Sequence, residues 1–272
     1  MKGREHMEKN TIPVIIKKKQ ENQKITMLTA YDYNIAALID QAGIDIILVG
    51  DSLANVFAGR KNTLNVTMQH MVYHVEAVAR GVENALVVAD MPFGSFQVSP
   101  DRAFENAAEL VRSGAQAVKI EGGGEMVSTV EYLTRRGIPV MAHIGLQPQS
   151  VHAYGGYRVQ GKEAGQAKKL QDDALALEKA GAFAIVIEAI PASLAAKITS
   201  SLTIPVIGIG AGKDCDGQVL VINDLLGLSL SQPPRFVKQY ADLKDNILKA
   251  VQMYRHEVQK GIFPEKKHTY GE

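Results

Sequence analysis

From Lys24 onward, short runs of β-branched and aliphatic residues alternate with longer stretches in which apolar positions recur every third or fourth residue. Strands of a parallel sheet are covered on both faces and read as unbroken apolar runs, whereas the intervening helices keep a single apolar stripe. The pattern predicts strands at Ile25–Thr29, Ile44–Val49, Leu86–Asp90, Ala117–Ile120, Val140–Ile144, Phe183–Ile187, Val206–Ile209 and Val219–Ile222. It predicts helices over Asn34–Ala42, Thr67–Gly81, Pro100–Ser113 and Glu163–Ala180. Gly43, Gly81, Gly114, Gly137 and Gly181 each follow a helical stretch and precede a strand, as expected of glycines that stop helices in a left-handed conformation.

Eight strands with one dominant spacing favour closure, so the expected fold class is α/β, a (β/α)8 TIM barrel. An open doubly wound sheet is the alternative, but no GxGxxG opens the first strand–helix unit. Two regions lie outside the rhythm. Residues 1–23, with Lys17-Lys18-Lys19, read as an N-terminal cap or a solvated face. After Gln232-Pro233-Pro234, a long amphipathic helix over Arg235–Gly261 presents an apolar face for the barrel or for a second subunit. The whole chain, 1–272, is expected to form one barrel domain with these two additions.

Composition narrows the partners. Thirty Lys and Arg against 29 Asp and Glu leave a formal charge of +1, so no global field attracts nucleic acid or an anionic membrane, and a small molecule is the expected partner. The single Cys215 has no disulfide partner and no second thiol for zinc. The polar start and the lack of any apolar run near the roughly 18 residues that span a bilayer point to the cytoplasm.

In (β/α)8 barrels the active site forms at the C-terminal ends of the strands. Those ends carry Asp51 and Ser52, Asp90, Lys119 and Glu121, His143, and Glu188. A lone strand-end aspartate caps a helix more often than it catalyses, a lysine can simply pair with a carboxylate, and a lone strand histidine is usually structural. Recurrence changes the balance, because several carboxylates in one cavity repel unless a cation or proton neutralises them. Hard oxygen donors select magnesium or manganese over zinc. Such an ion suits chelation of an α-keto acid, with Glu188 as base for the proton beside the carbonyl and with Lys119 and His143 meeting the substrate oxygens. The run Gly208-Ile209-Gly210-Ala211-Gly212 closes the seventh strand and admits close backbone approach of a ligand, which keeps a phosphosugar enzyme in competition. His152–Arg158 reads as a lid, a wall for a second substrate, or a packed loop.

Taken together, the motifs resemble the 3-methyl-2-oxobutanoate (ketopantoate) hydroxymethyltransferases over nearly the whole chain from Ile25. They include Thr29-Ala30-Tyr31-Asp32, Val49-Gly50-Asp51-Ser52, Ala89-Asp90-Met91-Pro92-Phe93, Val118-Lys119-Ile120-Glu121-Gly122-Gly123, His143-Ile144-Gly145-Leu146-Gln147-Pro148-Gln149 and Gly155–Gly161. The resemblance implies transfer of a one-carbon unit from 5,10-methylenetetrahydrofolate to 3-methyl-2-oxobutanoate through a metal-stabilised enolate, giving 2-dehydropantoate for pantothenate and coenzyme A biosynthesis. It implies Mg2+ on Asp51, Asp90 and, directly or through water, Glu121. Asp51, Ser52, Asp90, Lys119 and His143 then contact the keto acid, Glu188 is the catalytic base, and Gly210 and Gly212 are candidates for the folate cofactor. It also implies a homo-oligomer, commonly a decamer. Asn223 stands where a histidine is common in the family, which affects the loop near the eighth strand and none of the residues above. A carbon–carbon lyase or mutase of the phosphoenolpyruvate and pyruvate barrels is the competing enzyme reading, and a barrel kept as a binding module is the non-enzymatic one.

Overall fold

The computed structural model describes residues 9–271, so the part of the expected N-terminal cap that falls on residues 1–8 lies outside it. Contacts divide the chain into two units with the boundary after Val221.

In the first unit, eight parallel strands pair in sequence order: β1 (Ile25–Thr29), β2 (Ile46–Val49), β3 (Leu86–Asp90), β4 (Ala117–Glu121), β5 (Val140–Gly145), β6 (Ala184–Glu188), β7 (Val206–Ile209) and β8 (Gly217–Leu220). β8 pairs back onto β1, which closes the barrel and leaves no free edge. All eight runs read from the apolar pattern are strands. The eighth starts earlier than the apolar residues suggest, because pairing with β1 begins at Ile25↔Gly217 and neither Gly217 nor Gln218 is apolar.

Helices Tyr33–Gln41, Met68–Gly81, Pro100–Arg112 and Ala164–Lys179 match the expected ones, and Val127–Thr134 and Ala192–Ser201 cover two further connections. Several begin on side-chain caps. Asp32, Thr67 and Ser99 accept the N–H of Ile35, His70 and Arg102, and Pro100 supplies a preset backbone angle in the first turn. Four of the five candidate stop glycines take φ values of 80° to 114°. Gly81 does not: it is the last residue of its helix, and a Cβ there would lie 2.6 Å from the Tyr33 carbonyl oxygen, so close packing and not a left-handed turn accounts for it.

The barrel is filled from within by Ile25, Met27, Leu86, Val88, Met141 and Val186 among others. Helix Ile12–Gln20 seats Ile15 in this core from the N-terminal side, burying a side chain worth roughly 1.5–3 kcal/mol. The basic stretch on that helix is neutralised locally, since Lys17 pairs with Glu21, Lys18 with Asp45 and Lys19 with Asp216.

In the second unit the principal helix is Leu243–Gln259. It starts later than the expected 235, because Asp242 is its N-cap, accepting the Asp245 N–H, and none of its residues is buried. Among the described residues, no helix is long and apolar enough to cross a membrane.

Candidate active site

Successive side chains of a strand point to opposite faces, so the residues filling the barrel fix which later ones point inward. Counting in twos from Leu86 and Val88 reaches Asp90. The same count from Ala117 reaches Lys119 and Glu121, from Met141 it reaches His143, and from Ala184 and Val186 it reaches Glu188. The register sets Asp90 beside Lys119 and Glu121 beside His143. In β2 the count from Ile46 and Leu48 reaches Gly50. A Cβ at Gly50 would lie 2.7 Å from Ser52 Oγ and 3.5 Å from Asp90 Oδ2, so the missing side chain is what lets the turn carrying Asp51 and Ser52 fold over the barrel mouth.

These groups form one connected cluster. The Asp51 N–H donates to Asp90 Oδ2 at 2.9 Å, and Lys119 Nζ lies 2.9 Å from Asp90 Oδ1 and 3.3 Å from His143 Nδ1. His143 Nδ1 is 3.4 Å from Glu121, and its Nε2 is 3.2 Å from Glu188 Oε2. Asp90 Oδ1 and His143 Nε2 touch opposite charge, yet neither has a hydrogen bond of good alignment. Asp51, Asp90, Lys119, Glu121 and His143 are all buried, while Glu188 is partly open, at the solvent side of the group.

The electrostatics are those of crowded acids. Burial, then the neighbouring Asp90 and Glu121, push the Asp51 carboxyl well above the usual range. Burial would lower Lys119, but Asp90, Glu121 and Asp51 outweigh it and raise the ammonium. Burial and Lys119 both disfavour the His143 imidazolium, yet the bonds to Glu121 and Glu188 raise it to about 9. For Glu121, burial acts upward, but His143 and Lys119 hold the carboxyl below its ordinary value. Four carboxylates (Asp51, Asp90, Glu121 and Glu188) thus face two cations, a deficit of two positive charges when all are ionised. A divalent cation matches that deficit, and the donors are all hard oxygens. Among the described residues, no three His, Cys, Asp or Glu side chains are gathered closely enough to hold an ion by themselves. Asp51 and Asp90 are the pair that can hold part of a coordination shell, leaving positions for small oxygen ligands.

Two participants escaped the strand-end reading. Tyr31 Oη lies 2.8 Å from Ser52 Oγ, and its phenol is raised by burial, so it stays a neutral partner. Gln149 is buried between Asp51 and Glu121. Gln149 lies in a helical turn beyond its strand, where alternation carries no signal, and Tyr31 stands two residues past the end of β1. Gly210 takes a positive φ of 62°. Gly212 has a packing reason of its own, since a Cβ there would meet Ala192 Cβ at 2.6 Å. Tyr154 and Tyr157 stand near the mouth: burial first, then nearby acids including Glu121, raise both phenols.

A closed parallel barrel whose inward-pointing charged residues gather at the C-terminal strand ends defines a (β/α)8 enzyme. Solved structures share this fold: a phosphonopyruvate hydrolase with oxalate and Mg2+ superposes with a TM-score of 0.62 at 15% identity, covering 96% of this chain and 93% of the other. A 2,3-dimethylmalate lyase gives 0.60 at 16% identity over 95% and 91%. The chain belongs to the ketopantoate hydroxymethyltransferase family, whose sequence model matches residues 9–266. It is 56% identical to the 3-methyl-2-oxobutanoate hydroxymethyltransferase of Pelobacter propionicus over 96% of this chain and 97% of that one. The protein of the same name from Magnetococcus marinus is 53% identical over 95% and 97%.

Proposed function

We propose that this enzyme transfers a hydroxymethyl group from 5,10-methylenetetrahydrofolate to C3 of 3-methyl-2-oxobutanoate, giving 2-dehydropantoate, with Mg2+ as its metal. The observation that carries the site chemistry is the deficit of two positive charges among buried strand-end acids, with one carboxylate, Glu188, left at the open side. Asp51 and Asp90 would hold the ion, with Glu121 completing its shell directly or through water. The bound ion supplies a Lewis acid for the keto oxygen. Lys119 and Ser52 bind the keto acid, Ser52 being steadied by the Tyr31 hydroxyl. His143 bridges Glu121 and Glu188, helps hold the Glu121 carboxyl in its ionised form, and faces the substrate oxygens. Glu188 takes the proton from C3. The electron pair left at C3 bonds to the one-carbon unit, water provides the hydroxyl oxygen, and tetrahydrofolate leaves. Gly210 and Gly212 are assigned to the folate side, and the enzyme is taken to work as a cytoplasmic homo-oligomer, a decamer.

The test is co-substrate dependence. 2-Dehydropantoate forms from the keto acid only when both methylenetetrahydrofolate and Mg2+ are supplied. Turnover of the keto acid without folate overturns the transferase reading in favour of a lyase.

A further inference from the structure

We infer that Gln149 is the positioning residue that sets the metal affinity of the site, by holding Asp51 and Glu121 in fixed orientations without neutralising either. The inference rests on the reading of Asp51 and Asp90 as metal ligands.

Gln149 lies in the short helical turn Pro148–Ser150 that follows β5, and it is 5% exposed. Its backbone N–H donates to Glu121 Oε2 at 3.0 Å. Its side-chain Nε2 donates to Asp51 Oδ2 at 2.9 Å and to the Met91 carbonyl oxygen at 2.9 Å. Both protons of the amide are therefore committed, and Oε1 accepts from Gln97 Nε2 at 3.2 Å, which fixes the amide's orientation. One residue thus ties the turn after β2 to the end of β4 and to the residue just after β3.

The two aspartates are held in different ways. Asp90 lies against the Lys119 ammonium, whereas Asp51 is held by a neutral amide. A cationic holder at Asp51 would compete with a metal ion for the same negative charge. A neutral donor leaves the full charge available and removes only the rotational freedom of the carboxylate, the usual task of groups that orient metal ligands.

The test is Mn2+ binding to the metal-free enzyme, followed by calorimetry and by the electron paramagnetic resonance of the free ion, for the wild type, Gln149→Met and Gln97→Met. Methionine keeps the length of the side chain and removes its hydrogen bonds. Gln149→Met is expected to bind Mn2+ about 10- to 100-fold more weakly, the range for lost orienting partners, and Gln97→Met more weakly by a few-fold. Excess Mg2+ should restore most of the kcat of Gln149→Met, which damage to the fold would not permit. An unchanged Mn2+ affinity in folded Gln149→Met overturns the inference. If that variant does not fold, Gln97→Met decides, and wild-type affinity there overturns it equally. Failure of the wild type to bind Mn2+, or binding that survives Asp51→Asn, instead removes the metal-site reading on which the inference rests.

Discussion

The two ends of the barrel use the same charged residues to opposite effect. At the N-terminal end every buried acid is satisfied: Asp40 accepts the backbone N–H groups of Glu83, Asn84 and Ala85, and Asp45 accepts from Thr26 and pairs with Lys18. At the C-terminal end Asp51 is crowded by Asp90 and Glu121, and Asp90 Oδ1 and His143 Nε2 lack well-aligned hydrogen bonds. Hydrogen-bonded buried charge holds a fold together, whereas uncompensated buried charge is retained for chemistry.

The sharpest way to break this comparison is at the open carboxylate. Glu188→Gln should slow folate-independent exchange of the keto acid's C3 proton into deuterated water by about 10²- to 10⁴-fold, the range for a lost general base. Unchanged exchange, read by proton resonance, removes Glu188 from that role. Next come two identical substitutions at opposite ends. Asp40→Asn replaces an acceptor of three backbone N–H groups and should cost roughly 2–4 kcal/mol in urea unfolding, with kcat of the folded enzyme unchanged. Asp51→Asn removes a charge that its neighbours disfavour, so the metal-free protein should melt a few degrees higher while losing Mg2+ binding. A lower melting temperature for metal-free Asp51→Asn contradicts the account of crowding.

The smallest effect is a slope in pH. Folding raises the His143 imidazolium from its ordinary 6.5 to about 9, so the folded state binds the proton more tightly than the unfolded chain. The stability this contributes is complete below about 6.5 and is lost as pH climbs through about 9. In metal-free protein the melting temperature should fall across that window, and His143→Gln should flatten the fall. An equal slope in the variant assigns the effect elsewhere.

Much of this was legible in the residues. The runs of β2 to β5 are buried along their whole length because both faces are covered, and Asp90, Glu121 and Glu188 stand out as charges closing apolar runs. The rest depends on distance along the chain. Gln149 acts from a turn beyond its strand, where no period predicts direction, and its partners lie 28 and 98 residues away. The helix Leu243–Gln259 starts later than its pattern predicts, because the amphipathic spacing runs on through residues 235–242 whereas the Asp242 cap fixes the observed start. Gly81, expected as a helix stop, and Gly212, expected as a point of close ligand approach, both prove to be places where another segment comes too close for a side chain, and Gly212 also takes a positive φ of 87°.

Closure of the ring in sequence order has a consequence for how molecules approach it. The charged inward ends come from β3 to β6, with Asp51 on the adjoining turn of β2, so they occupy one continuous arc. Across the opening, the last inward residues of β7, β8 and β1 are Ile209, Val219 and Thr29, none of them charged. The mouth is therefore electrically lopsided. An elongated molecule with one ionic and one neutral end is turned by that asymmetry before any contact forms, and its orientation is inherited from the order of the strands.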